Sequence, residues 1–340
     1  MRTSGTLLWW SLALGLAFSA PVPAEKAAIR GVGEYVVPAW FKQSFLDLRE
    51  DAQGAAAGNK HLLVYFGQPG CPYCAELFNN NFSQPHIVEY TRRHFDAIDL
   101  NMWGDRGVTD FTGQTLTEKE LAAKLKVWFT PTTLFFDGQG RQVLRINGYY
   151  PPHQFYAALR YVAEGHDKRM SLREYLAHSA PPSAAGRLHE EPFFAKPPHN
   201  LARPSGKPIA LVFEQKDCAG CDELHRRVFP LPEIRRQLAR FHVVQLDRWS
   251  DTPLTTPTGE RTTARAFAAA LNVAYVPSVV LFDEGREVIR IEAMLKAFHV
   301  QSVLDYAASG AYKRQPSLQR FIQERADELR ERGVVVDLWQ

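Results

Sequence analysis

The sequence predicts an α/β protein in which one domain is used twice, each copy a mixed sheet flanked by helices. Three observations carry that prediction. Two CxxC pairs, Cys71–Cys74 and Cys218–Cys221, each follow a short apolar run of strand character, Leu62–Phe66 and Ile209–Phe213. Pro131 and Pro277 each open a second apolar run, 60 and 59 residues after the first cysteine of their pair. The halves also agree in register. Leu100-Asn101-Met102-Trp103 matches Leu246-Asp247-Arg248-Trp249, Thr112-Gly113 matches Thr258-Gly259, and Ser171–Leu176 matches Ser317–Ile322. From Gly113 onward the offset holds at 146 residues.

Residues 1–24 read as a secretory signal. Met1 and Arg2 make a minimal positive start, Leu7–Phe18 is apolar, and Val22-Pro23-Ala24 puts small residues at the −3 and −1 places of a cleavage site. The apolar core is short for a bilayer span; an uncleaved anchor is the alternative. No cysteine follows the signal to carry a lipid, and no later segment approaches the length of a span. The mature chain is expected in the periplasm, soluble, with no stable membrane insertion once the signal is removed.

From Glu25 to Lys60 the chain approaches the first domain, with Trp40, Phe41, Phe45 and Leu46 at helical spacing as core candidates. The strand at Leu62–Phe66 ends in a Gly67–Gly70 turn, and helix begins at the CxxC and continues to about Arg93. Phe95–Leu100 is the next strand. A polar loop from Asn101 to Gln114 carries Trp103, read with its counterpart Trp249 as a loop anchor. Thr117, three residues before Glu120, makes a capping box for a helix over Thr117–Lys126. Two strands around Gly138-Gln139-Gly140 follow Pro131, then a helix over His153–Ala163. The domains span 35–178 and 208–332. Between them, 179–207 holds Pro181, Pro182, Pro192, Pro197, Pro198 and Pro204 and reads as a semi-extended linker, with Phe193 and Phe194 able to dock. Leu318–Arg332, rich in Glu and Arg, reads as an exposed helix, and Val334–Val336 is an apolar tail without an assigned role.

At 340 residues the chain has room for both domains. Its net charge of +3 comes from cations interleaved with acids, which gives no case for nucleic acid. All four cysteines lie in the two pairs, whereas an exported protein using disulfides as staples would spread them across the fold. The usage is catalytic or metal-binding.

A cysteine at a helix N-terminus has its thiolate stabilised by the macrodipole and the free backbone N–H groups. A second cysteine one turn on can close a disulfide and release whatever the first has captured. Pro72, just inside the helix start, has no N–H to leave unpaired and a φ already helical. A proline entering an apolar strand is tolerated at its first position, where Pro131 and Pro277 stand.

On Cys71, Cys74, Thr130 and Pro131, and again on Cys218, Cys221, Val276 and Pro277, the chain resembles the thioredoxin superfamily. The fold class becomes two tandem thioredoxin-like domains. The resemblance implies that both prolines are cis and packed against their CxxC. It also implies that Thr130-Pro131 and Val276-Pro277 guide the incoming peptide, with Tyr73 exposed beside Cys71. Gly-Cys-Pro-Tyr-Cys, the insertion ending in the Thr117–Leu125 helix, Thr130-Pro131-Thr132, Gly148-Tyr149 and Phe155–Tyr161 look like the SoxW-type periplasmic thioredoxins, in the branch that includes the thioredoxin domains of DsbD-like proteins. That likeness implies thiol–disulfide exchange in the periplasm.

The chain departs from the family at several places. Six residues before the first cysteine, where cytoplasmic thioredoxins carry a buried aspartate, stand Tyr65 and Val212. Gly148, beside the peptide groove, has Met294 as its counterpart. The second CxxC lacks the inner proline, and Asp217 before Cys218 disfavours the thiolate. Two sites of unequal potential follow, tuned by Pro72-Tyr73 and Ala219-Gly220.

The function expected is an exported thiol–disulfide oxidoreductase that reduces protein disulfides. Cys71 and Cys218 attack and Cys74 and Cys221 resolve. Its partners are protein thiols and disulfides and a membrane electron donor of the DsbD type, with no cofactor, no metal and no nucleic acid. A tetrathiolate zinc site would need ligand pairs closer than the 147 residues between Cys71 and Cys218. His225, four residues after Cys221, is either a solvated helix histidine or the third ligand of a metal site, and Phe78 takes its place in the first copy. The other class of function is a thioredoxin-fold binding or metal-handling protein with little turnover, against which the intact pairs argue.

Overall fold

The computed structural model describes residues 26–178, 187–202, 206–216, 218–293 and 295–339. The expected signal at 1–24, the linker prolines Pro181, Pro182 and Pro204, and Asp217 and Met294 lie outside the described residues.

After β1 (Ile29–Arg30), the first domain runs α1 (Leu48–Ala57), β2 (His61–Gly67), α2 (Pro72–Glu76), α3 (Pro85–His94), β3 (Phe95–Asn101), the hairpin β4 (Gly107–Thr109) and β5 (Thr115–Thr117), α4 (Glu118–Lys124), β6 (Thr132–Phe136), β7 (Gln142–Asn147), α5 (Pro152–Ala163) and α6 (Leu172–His178). Its sheet order is β3-β2-β6-β7, with β3 parallel to β2 and the other neighbours antiparallel. The second domain follows as β8 (His199–Asn200), β9 (Ile209–Glu214), α7 (Ala219–Glu223), α8 (Pro232–Leu238), β10 (His242–Asp247), β11 (Pro253–Thr255), β12 (Arg261–Thr263), α9 (Ala264–Ala270), β13 (Ser278–Asp283), β14 (Arg286–Ile291), α10 (Ala297–Ala308) and α11 (Leu318–Glu331), with β15 (Val336–Asp337) at the end. Its sheet repeats the first as β10-β9-β13-β14.

The central strands β2 and β9 are near-continuous apolar runs because helices cover both faces of each sheet. Alternation divides their side chains. Leu62, Val64 and Phe66 face one core of the first domain, and Ile209, Leu211 and Phe213 the matching core of the second. Leu63, Tyr65, Ala210 and Val212 face a third cluster that contains Cys71, Cys74, Tyr150, Tyr275, Ile291 and Leu295. The domains therefore share one apolar seam, which includes Cys71 and Cys74 of the first pair.

Thr117 caps α4 as its spacing requires, accepting from the Glu120 N–H while Glu120 returns the bond. Several local expectations are corrected. Phe45 is fully exposed, and the stretch before α1 is not helical: Leu46 adopts φ 64° and donates its N–H to Ser44 Oγ. α11 is not exposed all round, since Leu318, Ile322 and Ala326 are buried. Of the apolar tail, Val336 is buried in β15, which pairs in parallel with β1, while Val334 and Val335 are exposed. Residues 187–202 sit on the second domain. Phe193 and Phe194 pack on Phe229, Ala195 N–H donates to Val243 O, and β8 pairs with β11. No helix among the described residues is long and apolar enough to cross a membrane.

Candidate active site

β2 and its following turn, where Gly70 takes φ +74°, deliver Cys71 as the N-cap of α2. Its Sγ accepts the Cys74 N–H at 3.0 Å, and the two cysteines are joined in a disulfide with Cα atoms 5.3 Å apart. The second domain repeats this. Cys218 caps α7, its Sγ accepts the Cys221 N–H at 3.0 Å, and the disulfide spans 5.2 Å between Cα atoms. Both leading sulfurs thus lie where helical N–H groups converge, which favours a thiolate on reduction.

The Thr130–Pro131 and Val276–Pro277 bonds are both cis. Thr130 Oγ1 donates to Cys71 Sγ at 3.3 Å, and Val276 has no donor to offer Cys218. In the second domain a Cβ on Gly220 would lie 3.0 Å from Pro277 Cδ, so the proline packs closely on that inner glycine.

The surroundings of the two pairs differ. Behind the first, Gly67 makes room for two phenols: a Cβ there would lie 2.3 Å from Tyr65 Oη and 2.5 Å from Tyr35 Oη. Burial raises the pKa of both, so they stay neutral. In place of Gly67 the second domain has Glu214, fully buried, which accepts from His225 Nε2 at 2.8 Å and Gln245 Nε2 at 2.6 Å. His225 Nδ1 meets Glu191 at 3.1 Å, and Arg235 lies 3.3 Å from the same carboxylate. Burial alone would lower the His225 pKa, but Glu214 and Glu191 outweigh it and hold it above the usual value. The solvated histidine expected here is in fact 5% exposed, with both ring nitrogens on carboxylates. Spacing from Cys221 did not reveal this, because the carboxylates come from a strand end and from the inter-domain segment.

Tyr73 is also corrected. It is 4% exposed, its hydroxyl accepts the Lys296 N–H at 2.8 Å and lies 3.3 Å from His299 Nδ1, and its ring packs 5.4 Å from Trp339. The second domain and the C-terminus bury it and push its hydroxyl well above the usual range, while burial lowers His299 to about 4. Near this point the domains meet edge to edge: a Cβ on Gly148 would lie 2.5 Å from that of Ala293, Tyr150 packs 4.8 Å from Tyr275, and Asn147 donates to Glu292.

Trp103 and Trp249 are anchors, each donating its indole N–H to a glutamine just before a CxxC, Gln68 or Gln215. The trailing helices cross over. Arg173 of the first domain stacks on Trp249 at 4.6 Å, and Arg320 of the second stacks on Trp103 at 5.4 Å. Gln319 reaches both Gln68 and the Trp128 carbonyl. The repeated Ser171–Leu176 and Ser317–Ile322 segments were the sequence signal for these helices, though not for their exchange. All four cysteines are buried, Cys71 at 3%, Cys74 at 0%, Cys218 at 6% and Cys221 at 2%.

Fold and site define a protein of two α/β domains, each presenting a CxxC disulfide at a helix start beside a cis-proline. The chain belongs to the thioredoxin-like domain family, whose profile matches residues 48–163 and again 199–308. No curated protein matches it. Among solved structures it is similar to a thioredoxin-fold protein from Helicobacter pylori, at 25% identity over 38% of this chain and 93% of that one, with a TM-score of 0.32. It is also similar to DsbH oxidoreductase, at 14% identity over 45% and 94%, with a TM-score of 0.26. The C-terminal domain of Neisseria meningitidis DsbD in the reduced form matches at 15% identity over 33% and 91%, with a TM-score of 0.26.

Proposed function

We propose that the protein is an exported, periplasmic thiol–disulfide oxidoreductase that reduces protein disulfides through both CxxC pairs. The observation that carries this reading is the placement of Cys71 Sγ, a helix N-cap that also receives the Thr130 hydroxyl. The Cys71 thiolate attacks one sulfur of a substrate disulfide, and the departing substrate thiolate takes a proton. Cys74 then loses its proton and attacks Cys71 Sγ, which frees the second substrate thiol and leaves the Cys71–Cys74 disulfide. Cys218 and Cys221 run the same steps in the second domain. Thr130, Pro131, Val276 and Pro277 line the path of the substrate peptide, whereas Tyr73 is buried against Lys296, His299 and Trp339. An oxidising compartment requires a donor of two electrons per cycle, and a membrane dithiol carrier of the DsbD type supplies that chemistry. Export rests on the signal-like residues 1–24.

The test is insulin-disulfide reduction by the wild type, Cys71→Ser and Cys218→Ser. Each serine variant should lose the turnover of its own site. Burial of all four cysteines favours a second reading, a binding protein with little turnover. Under that reading Cys71→Ser keeps its partner, and the wild type shows no turnover to lose.

A further inference from the structure

The first and last segments of the described residues meet over the first CxxC. Ile29 and Arg30 pair with Val336 and Asp337, Ala27 N–H donates to Arg330 O, and Leu338 N–H donates to Arg30 O. Arg330 Nε returns a bond to Ala27 O, and Lys26 forms ion pairs with Asp327 and Glu331. The N-terminal segment is thus fastened to the second domain before it crosses the first.

Two glycines fit it into place. A Cβ on Gly31 would lie 2.8 Å from the Trp339 nitrogen, and one on Gly33 would lie 2.4 Å from Cys71 O and 2.5 Å from Pro72 Cα. Gly33 N–H donates to Gly70 O, and Tyr35 stacks on Phe78 just beyond. From the other side come Trp339 and His299 against Tyr73, Lys296 over Trp339, and Ala293 against Gly148.

We propose that the paired terminal segments, seated against Ala293, Lys296 and His299 of the second domain, form a lid that closes the Cys71–Cys74 site to protein partners and opens by release of the β1–β15 strap. The inference rests on the reading of this site as a thiol–disulfide exchanger. Thiol–disulfide exchange requires a partner sulfur to reach Cys71 Sγ, and the strap lies directly on that CxxC, with Gly33 against Cys71 O and Pro72 Cα and Trp339 against Tyr73, where the second pair has no such cover among the described residues. The strap itself is built to release. A two-stranded pairing two residues long is marginal by itself, and its ion pairs are exposed. Such elements belong to the low-stability end of a structure, which opens locally without global unfolding. Once open, a partner dithiol reduces the site. One partner thiolate attacks Cys71 Sγ and breaks the Cys71–Cys74 bond, and its second thiol closes the partner disulfide, leaving both cysteines as thiols.

The test compares the oxidised full-length wild type with Trp339→Ala and Gly33→Ala, the latter placing a methyl against main-chain atoms that cannot yield. Reduction of each pair is followed by mass-tagging, using dithiothreitol as a small dithiol and reduced thioredoxin as a protein-sized one. The lid predicts that thioredoxin reduces the first pair about tenfold faster in the variants. The rate at the second pair should not change, and amide exchange at Gly33 should rise while β2 stays protected. If Gly33→Ala does not fold, Trp339→Ala decides alone. Equal thioredoxin rates in wild type and variants, with dithiothreitol still reducing the pair, overturn the lid and leave the exchange reading standing. A first pair that resists both dithiols in the variants overturns the exchange reading, and the lid with it.

Discussion

Thr130 holds its hydroxyl 3.3 Å from the Sγ of Cys71, and Val276, in the same place before Pro277, offers Cys218 no such bond. A donor aimed at a sulfur favours its thiolate. The first pair therefore has the more stabilised reduced form and the higher potential. Any electrons exchanged between the domains would then run downhill from the second pair to the first.

Thr130→Val should lower the potential of the first pair alone. A hydrogen bond to a charged sulfur contributes about 1.5 kcal/mol, or roughly 30 mV in a two-electron couple. Val276→Thr should raise the second pair by a similar amount. Titration of each variant in dithiothreitol buffers checks both, and unchanged potentials would remove the hydroxyl as the source of the asymmetry.

His225 predicts a pH dependence of stability that originates in the second domain and is read in the unfolding of the whole chain. Its folded pKa is held above the ordinary 6.5, so the stability it contributes is fully present below that value and is lost as pH rises through the folded pKa. His225→Leu leaves Glu214 buried without its cation and should cost about 3–5 kcal/mol near pH 6. The gap between variant and wild type should narrow as pH rises. Urea unfolding at several pH values measures it, and a gap that stays constant would mean the ring does not titrate as argued.

The exchanged arginines predict coupling between domains. Removing Trp103 and Arg320 together should cost less than the two single losses summed, by about 1 kcal/mol, the size of a cation–π contact. Because the apolar seam runs across both domains, urea should unfold them in one transition. Strictly additive effects, or two separate transitions, would contradict the shared seam.

Much of this was legible in the sequence where function is written locally. The CxxC pairs, the two prolines and the 146-residue register led to two thioredoxin-like domains, and Thr117 with Glu120 marked a helix start that the structure reproduces. What stayed hidden was whatever a distant segment supplies. Tyr73 reads as exposed from its neighbours in sequence, and only Lys296, His299 and Trp339 bury it. His225 reads as a surface residue until Glu214 and Glu191 converge on it. Phe45 misled in the opposite way: its helical spacing lies in a stretch that Ser44 and the positive φ of Leu46 turn away from helix. The Val334–Val336 tail had no periodicity to read, and its strand exists only because the other end of the chain lies beside it.

The most direct measurement is a redox titration of the protein from dithiothreitol to glutathione buffers, with each CxxC followed by mass-tagging of its free thiols and with Cys71→Ser and Cys218→Ser as controls. Both pairs should cycle reversibly at reducing, thioredoxin-like potentials, the Cys71–Cys74 pair above Cys218–Cys221. If neither pair cycles, the protein is not a thiol–disulfide oxidoreductase and its paired cysteines serve binding or structure alone.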